Sequence, residues 1–546
     1  MIKLGISAFY HDAAACITIN GKVIAAVEEE RFTEIKHDYS FPVNSINWCL
    51  KHARVKINQI NEIHWYESPE KKDDRVSTTF AKKPFKTFFL NRKYKKSKST
   101  QNPKDILESM GYTGKITYHD HHYSHAAFAY FTSNYDHSAI LTVDGVGEWE
   151  TTTISLGKGN DISKLISIDF PNSLGMLYST LTSYLGFKPN EGEYKVMGLA
   201  PYGNPGQYLD KLRSVFTNTS NRYSIDQKYF TWEYSDKIMF NKNLCRLLDI
   251  PPRLPGEDIT QEHKNLASAL QAVYEEQFML LLKTVKNITK SDNICLGGGC
   301  AYNGVANVLA YKYFKSVHIP FAPSDAGSAI GVCLTTHTKV SPYLGPSYKP
   351  FITKKLLHDY SDKLLFFSLT EEKLVSKVAH FLCNQKIVAW FQGRMEFGAR
   401  ALGNRSILAS PKDPKMREKL NRVIKKREGF RPFAPSVLES HAKKYFDIKE
   451  PVPHMNVVAK TKVKHLPAAT HIDNTSRVQT VNKDQNPRYY KLIDAVGKLS
   501  GVPVVLNTSF NLKDQTITMS PKQAIQRYLS SEIDVLVIDN YLILKQ

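Results

Sequence analysis

The chain has 546 residues and a mass of 62.0 kDa, with 42% hydrophobic, 11% aromatic and 23% charged residues; this excludes a disordered tail or a fibre and makes two folded domains the expectation. Lysine and arginine total 73 against 52 acidic residues, a formal charge of +21 that predicts attraction to something anionic. The seven cysteines are odd in number and lack a CxxC pair, which argues against a disulfide framework or zinc ribbon, and neither a signal peptide nor an apolar run of about 18 residues is present. The expectation is a cytoplasmic protein without a membrane span.

In chain order, IKLGISAF, AAACITI, the Asn20-Gly21 turn and KVIAAVEEE predict a β-meander. Between Lys71 and Lys98 stand eleven basic and two acidic residues interleaved with Phe80, Phe85, Phe88 and Phe89. This is either a solvated insertion or a surface for an anionic acceptor, headgroup or nucleic acid. Residues 64–115 match no recognised pattern. In HDHHYSHAAFAYFTS, His121 and His125 are spaced i, i+4, which on a helix puts both imidazoles on one face. They serve either a shared metal or capping and core hydrogen bonds; Asp144 in DGVGE and Asp325 in PSDAGSAIG are glycine-flanked candidates to complete a metal shell.

Near residue 138, SAILTVDGVGEW and TTTISLGKGN repeat the opening grammar of strand, acidic turn and strand. Such a duplication characterises the ASKHA class of actin, hexokinase and Hsp70. Residues 258–289 carry helical spacing and lead to a strand and the glycine loop LGGGCAYNGVAN, read as a phosphate or adenosine cradle or as a tight turn. HTKVSPYLGPSYKPFITKKL, with three prolines between 337 and 356, is the expected linker. Beyond it, VSKVAHFLCNQ predicts a helix and KIVAWFQ, VPVVLNTSF and VLVIDNYLIL predict strands, giving a second α/β unit of about 190 residues.

Taken together, YHDAAA, HHYSHAA, DGVGE, PNSLGMLYSTLTSYLG, EGEYKVMGLAPYG, GGGCAYNGVAN, GRMEFGARALGNRSILA, REGFRPFAPSVL and LNTSFN resemble the NodU/CmcH carbamoyltransferase family over nearly the whole chain. The resemblance implies an α/β protein with a TsaD-like ASKHA domain over 1–345 and a YrdC-like domain over 346–546. The implied chemistry makes carbamoyl adenylate from carbamoyl phosphate and ATP with Mg2+, then transfers the carbamoyl group to a hydroxyl of a small-molecule or glycan acceptor. By the same resemblance His121, His125, Asp144 and Asp325 are ligands of one transition metal, Fe2+ by analogy, and His11 is the catalytic histidine. Lys36, Gly175, Glu193, Lys195, Gly298 and Asn303 line the carbamoyl adenylate. Arg400, Lys425, Arg431, Met455, Arg477, Asn507 and Ser509 hold ATP and carbamoyl phosphate. For His11 the expected role is general base for the acceptor hydroxyl, the alternative a loop hydrogen bond. Two competing readings are a threonylcarbamoyladenosine-type tRNA-modifying enzyme and an inactive nucleic-acid- or surface-binding scaffold; no nucleic-acid partner is expected.

Overall fold

The computed structural model describes residues 1–82, 87–88, 90–92, 94–95, 102–235 and 238–546, so Phe85 and Phe89 of the basic stretch lie outside the described residues. The described chain forms two compact units. The first comprises Met1–Glu29 and His37–Val340, the second Glu30–Lys36 and Ser341–Gln546.

In the first unit, β1 (Ile2–Ser7), β2 (Ala14–Ile19) and β3 (Lys22–Glu28) form the antiparallel meander. Asn20 and Gly21, both at positive φ, make the β2–β3 turn. β4 (Glu62–Trp65) and β5 (Ile116–Tyr118) add in parallel beyond β1, giving the order β3-β2-β1-β4-β5. A second sheet repeats this plan. β6 (His137–Val143), β7 (Glu150–Lys158) and β8 (Asp161–Asp169) are its meander. After a small hairpin of β9 (Phe216–Asn218) and β10 (Tyr223–Ile225), β11 (Asn293–Gly297) and β12 (Ser316–His318) add in parallel beyond β6. The order β8-β7-β6-β11-β12 is that of the first sheet with every strand replaced by its counterpart. Parallel neighbours require crossovers, and α1 (Val43–Ala53) supplies one before β4. This duplicated meander-plus-crossover is the ASKHA architecture.

Four further helices position the site: α2 (His121–Phe131), α3 (Leu174–Tyr184), α4 (Gln261–Thr289) and α5 (Asp325–Gly331). The Thr260 hydroxyl accepts the His263 amide and caps α4, whose Leu266, Leu270, Val273 and Leu281 are buried at helical spacing. α5 lies against β1 and α2 through contacts that admit only hydrogen. A Cβ on Gly5 would meet Ala329 O at 2.0 Å, and one on Gly331 would meet Ser124 O at 2.2 Å. These two glycines let Asp325 at the start of α5 reach the histidines of α2.

In the second unit β13 (Leu364–Ser368), β14 (Val388–Phe391), β15 (Arg405–Ala409), β16 (Ala434–Leu438), β19 (Gln479–Val481), β20 (Val504–Ser509), β21 (Val535–Ile538) and β22 (Tyr541–Lys545) form one sheet in the order β13-β22-β21-β14-β15-β20-β16-β19, beside a separate pair, β17 (Val458–Lys460) and β18 (Thr475–Arg477). Helices α7 (Glu371–Cys383) and α8 (Pro487–Ser500) bury Leu374, Val378, Leu382, Leu492 and Ile493 with Trp390, Val505 and Val537 of the sheet. The expected linker is only partly irregular. Its last residues begin α6 (Pro350–Asp359), because Pro350 takes the first helical position, where its fixed φ and missing N–H cost nothing. The short segment from the N-terminal third is tied into this unit by side chains: the buried Arg31 donates to Gly398 O at 2.9 Å, and Glu34 pairs with Arg527 at 3.3 Å.

All seven cysteines are free thiols. Among the described residues no helix is long and apolar enough to cross a membrane. Gly331→Ala is expected to destabilise the protein by about 3 kcal/mol, because backbone rather than a flexible side chain must yield; a shift of the urea midpoint at unchanged slope checks this, and an unchanged midpoint contradicts the packing.

Candidate active site

The site of the first unit forms where the two sheets present the ends of β1, β6 and β11. α2 sets His121 and His125 one turn apart with their Nε2 atoms 3.1 Å from each other. Asp144, just past β6, brings Oδ2 to 3.0 Å from His121 and 3.1 Å from His125. Asp325 Oδ1 lies 3.7 Å and 3.4 Å from the same nitrogens. All four side chains are buried, and one donor atom from each lies within 4.8 Å of the others. Metal bonds of about 2.1 Å in a tetrahedron put donors about 3.4 Å apart, so the set fits one divalent ion with two imidazole and two carboxylate ligands. Asp325 Oδ2 is buried without a hydrogen-bond partner. Burial alone would lower the His121 pKa, but the Asp325 and Asp144 carboxylates raise it to about 9. The Asp144 carboxyl is held well below its usual range, against burial, by its hydrogen bonds to both histidines. The cluster therefore demands positive charge, as protons or as a metal ion.

Surrounding groups fix these ligands. Asp144 Oδ1 accepts the Gly299 amide at 3.1 Å, leaving Oδ2 for the histidines. Ser328 Oγ lies 3.2 Å from His125 Nδ1. Glu148 accepts the His121 amide at 3.0 and 3.1 Å and the Ser68 amide at 2.6 Å, pinning the start of α2. Sequence reasoning passed over Glu148, although it ends the quoted DGVGE turn, because a carboxylate serving backbone amides leaves no spacing signal. His122, between the two ligands, instead bonds Thr142 at 2.6 Å.

The β1–β2 turn carries His11. Its Nδ1 is 2.8 Å from Asp12 Oδ2 and its Nε2 is 2.9 Å from Asn190 O. Carboxylate and carbonyl oxygens only accept, so both ring nitrogens carry hydrogen and His11 is an imidazolium here. Burial opposes this charge, but the Asp12 carboxylate overcomes it and raises the His11 pKa to about 10. Asn190 is itself held, because its amide donates to Glu193 Oε1 at 2.7 Å, an oxygen that also accepts the Ser179 hydroxyl at 2.6 Å. Glu193 thus shapes the loop against His11, while Lys195 lies 5.5 Å from the Phe187 ring centre.

Gly175 and Gly298 meet the requirement of close approach: a Cβ on Gly175 would stand 2.6 Å from Asp144 O, and one on Gly298, at φ +86°, 2.2 Å from Val143 O. The Asn303 side chain is engaged within the fold. Its Oδ1 accepts the Ala306 amide and its Nδ2 donates to Gln271 Oε1, both at 3.1 Å. Lys36 belongs to the second unit.

There the GRMEFGARALGNRS loop is held by Glu396, which accepts the amides of Leu402 and Asn404 at 2.7 Å and of Arg405 at 3.2 Å, leaving Arg400 half-buried. Lys425 ends a π-helical turn, Leu420–Lys425, a winding that recurs at functional sites. Its buried ammonium donates to Ser509 O and Asn511 Oδ1 at 2.6 Å and to Asn511 O at 2.9 Å. Burial, then Arg427, Arg431, Lys36 and Arg527, hold its pKa well below the ordinary lysine value. Ser509 Oγ donates to Asn511 Oδ1 at 2.7 Å, and Asn507 Nδ2 donates to Ala401 O at 3.1 Å. Arg431 lies 3.4 Å from Glu428, Met455 is buried beside Leu402 and Ala434, and Arg477 ends β18.

Residues 2–334 match the carbamoyltransferase N-terminus and residues 379–545 the carbamoyltransferase C-terminus. The chain is 36% identical to an uncharacterized protein of Synechocystis sp., covering 99% of this chain and 96% of that one. It is 34% identical to nodulation protein NolNO of Sinorhizobium fredii, covering 98% and 79% respectively. Among solved structures, an activator of 2-hydroxyisocaproyl-CoA dehydratase from Clostridium difficile aligns over 62% of this chain and 94% of its own at 11% identity, with a TM-score of 0.30. The chain belongs to the carbamoyltransferase family.

The His–Asp cluster predicts one bound transition-metal ion per chain, and Asp325→Asn should weaken its affinity at least tenfold. Equilibrium dialysis against zinc, manganese and iron with elemental analysis measures this; a wild-type chain that takes up none of them contradicts it.

Proposed function

We propose that this carbamoyltransferase works in two steps. The second unit, YrdC-like by resemblance, consumes carbamoyl phosphate, ATP as its Mg2+ complex and one water, releases phosphate and pyrophosphate, and forms carbamoyl adenylate. The first unit transfers the carbamoyl group to a hydroxyl of a small-molecule or glycan acceptor, releasing AMP. The observation that carries the first step is Lys425: a buried amine held by neutral oxygens and pressed by Arg427, Arg431, Lys36 and Arg527 lacks a counter-anion, which a phosphate chain would supply. Arg400, Arg431 and Arg477 would grip phosphoryl oxygens, and Ser509 and Asn507 would orient them; Met455 is the apolar neighbour.

For transfer, His121, His125, Asp144 and Asp325 would hold the resident ion, iron by the family resemblance, which when bound supplies Lewis acidity toward a phosphoryl or carbamoyl oxygen. Gly175 and Gly298 keep the floor of the site free of side chains. Glu193 keeps the Asn190 loop beside His11, and Lys36, Lys195 and Asn303 are carried over as adenylate contacts. His11 is the base that takes the acceptor hydroxyl proton. It must first release the Nε2 hydrogen held by Asn190 O, so only its neutral form is competent.

The first test is made on the intact chain, because a fragment starting near 350 would lack Lys36 and Arg31. ATP and carbamoyl phosphate should yield pyrophosphate without acceptor. Arg431→Ala should slow that release about 10- to 100-fold while the melting temperature changes little; no pyrophosphate from folded wild type would refute adenylate formation.

His11→Asn should leave pyrophosphate release intact and lower transfer roughly 100-fold. Because the His11 pKa is raised to about 10, its neutral fraction, and with it kcat/KM for transfer, should rise about tenfold per pH unit above neutrality and level off near that value. A rate that falls with pH over the same range would make His11 an acid.

A further inference from the structure

Asp12 serves two histidines at once. Its Oδ2 holds His11 Nδ1 at 2.8 Å, and its Oδ1 holds His37 Nδ1 at 2.7 Å. The two rings stand 4.6 Å apart, tilted by 33°. Asp12 and His37 are both at positive φ, and the Ala13 amide donates to Asp38 O at 2.7 Å, so the backbone of the β1–β2 turn is fastened to the segment that carries His37. The His37 side chain is 32% exposed, against 21% for His11, so of the two imidazoles His37 has the readier access to solvent protons.

We propose that His37 is a positioning residue for the transfer reaction: it holds the second oxygen of Asp12 and so sets how tightly His11 keeps its proton. This rests on His11 being the transfer base. One carboxylate charge divided between two imidazole N–H donors stabilises an imidazolium on either less than an undivided one would. The charged groups that act on His11 are Asp12 in its own turn and Asp325 from α5, with the Asn190 carbonyl on its far nitrogen; His37 faces it across Asp12. Asp12 and Asp325 favour the cation, and His37 opposes it by competing for the Asp12 carboxylate. Without His37 the neutral form that attacks the acceptor proton becomes scarcer.

Histidine-labelled full-length protein, with the His11 ring resonance assigned by its loss in His11→Asn, gives the titration directly by NMR. In His37→Asn the His11 midpoint should rise by about one pH unit. Transfer at neutral pH should fall about tenfold in kcat and recover at higher pH, while pyrophosphate release persists. His37→Gln, which keeps an amide donor, should give a smaller shift and guards against a variant that fails to fold. In an Asp12→Asn background the His37 substitution should move the His11 midpoint by less than a third of that amount, because the coupling runs through the carboxylate. An unmoved His11 midpoint in folded His37→Asn overturns the proposal. A midpoint that moves while the pH profile of transfer stays fixed leaves the coupling in place and overturns His11 as the transfer base.

Discussion

The first unit turns on how the carboxylate of Asp144 is divided. One oxygen is held by the Gly299 amide of the glycine loop and the other faces two imidazoles on α2, so three segments distant in sequence are locked to one side chain. The division works because no side chain crowds the Asp144 backbone: Gly175 and Gly298 pass where any Cβ would collide with Asp144 or Val143. The duplicated sheets bring this about, since β1 and β6 are counterparts and end at the same crevice. One supplies His11 and Asp12, the other Asp144.

Much of this was legible in the sequence, for reasons that differ by element. Asn20-Gly21 announced its turn because a two-residue hairpin loop needs two residues that tolerate positive φ, and SAILTVDGVGEW with TTTISLGKGN announced the second meander by repeating the strand, acidic turn and strand. His121 and His125 stood out because one helical turn imposes their spacing. Asp144 and Asp325 stood out only through neighbouring glycines, and the fold brings both carboxylates to the two imidazoles. Asn303 entered through the family resemblance; its side chain caps a short helix and pairs with Gln271, engagements that no spacing in the loop announces. Ser328, Glu148 and the Asp12–His37 pair gave no periodic signal, since each acts across a distance that only the folded chain closes. The placement of Glu30–Lys36 in the second unit was equally hidden: what moves these residues is Arg31 and Glu34 finding Gly398 and Arg527 some 370 to 490 residues away.

The second unit obeys the opposite electrostatic logic. In the first, carboxylates converge on buried nitrogen ligands and the balance is short of positive charge. Around Lys425, cations converge and the nearest acceptors are neutral oxygens of Ser509 and Asn511. A buried amine in such company is costly unless a ligand offsets it, and replacing it by an apolar residue would be the stabilising choice for a protein with no anion to bind. Arg405 shows what a purely structural buried cation looks like here. Its guanidinium lies over Phe391, with the ring centre 3.6 Å away, and its two terminal nitrogens donate to four backbone carbonyls.

These opposite deficits also bear on why one chain carries both units. An ordinary alcohol hardly ionises near neutral pH, so the acceptor's attack needs both an activated carbamoyl group and a base. In the proposed transfer, a base held as firmly protonated as His11 would be nearly idle without help. Its Asp12 partner, which stabilises the imidazolium formed as the acceptor proton arrives, is the same group that keeps it protonated beforehand. Any device that loosens Asp12's hold before the acceptor binds, without removing Asp12, shifts that balance toward catalysis. On the proposed reading His37, on the opposite carboxylate oxygen, would do so at the cost of one partly exposed histidine, and the His–Asp cluster at Asp144 stays untouched.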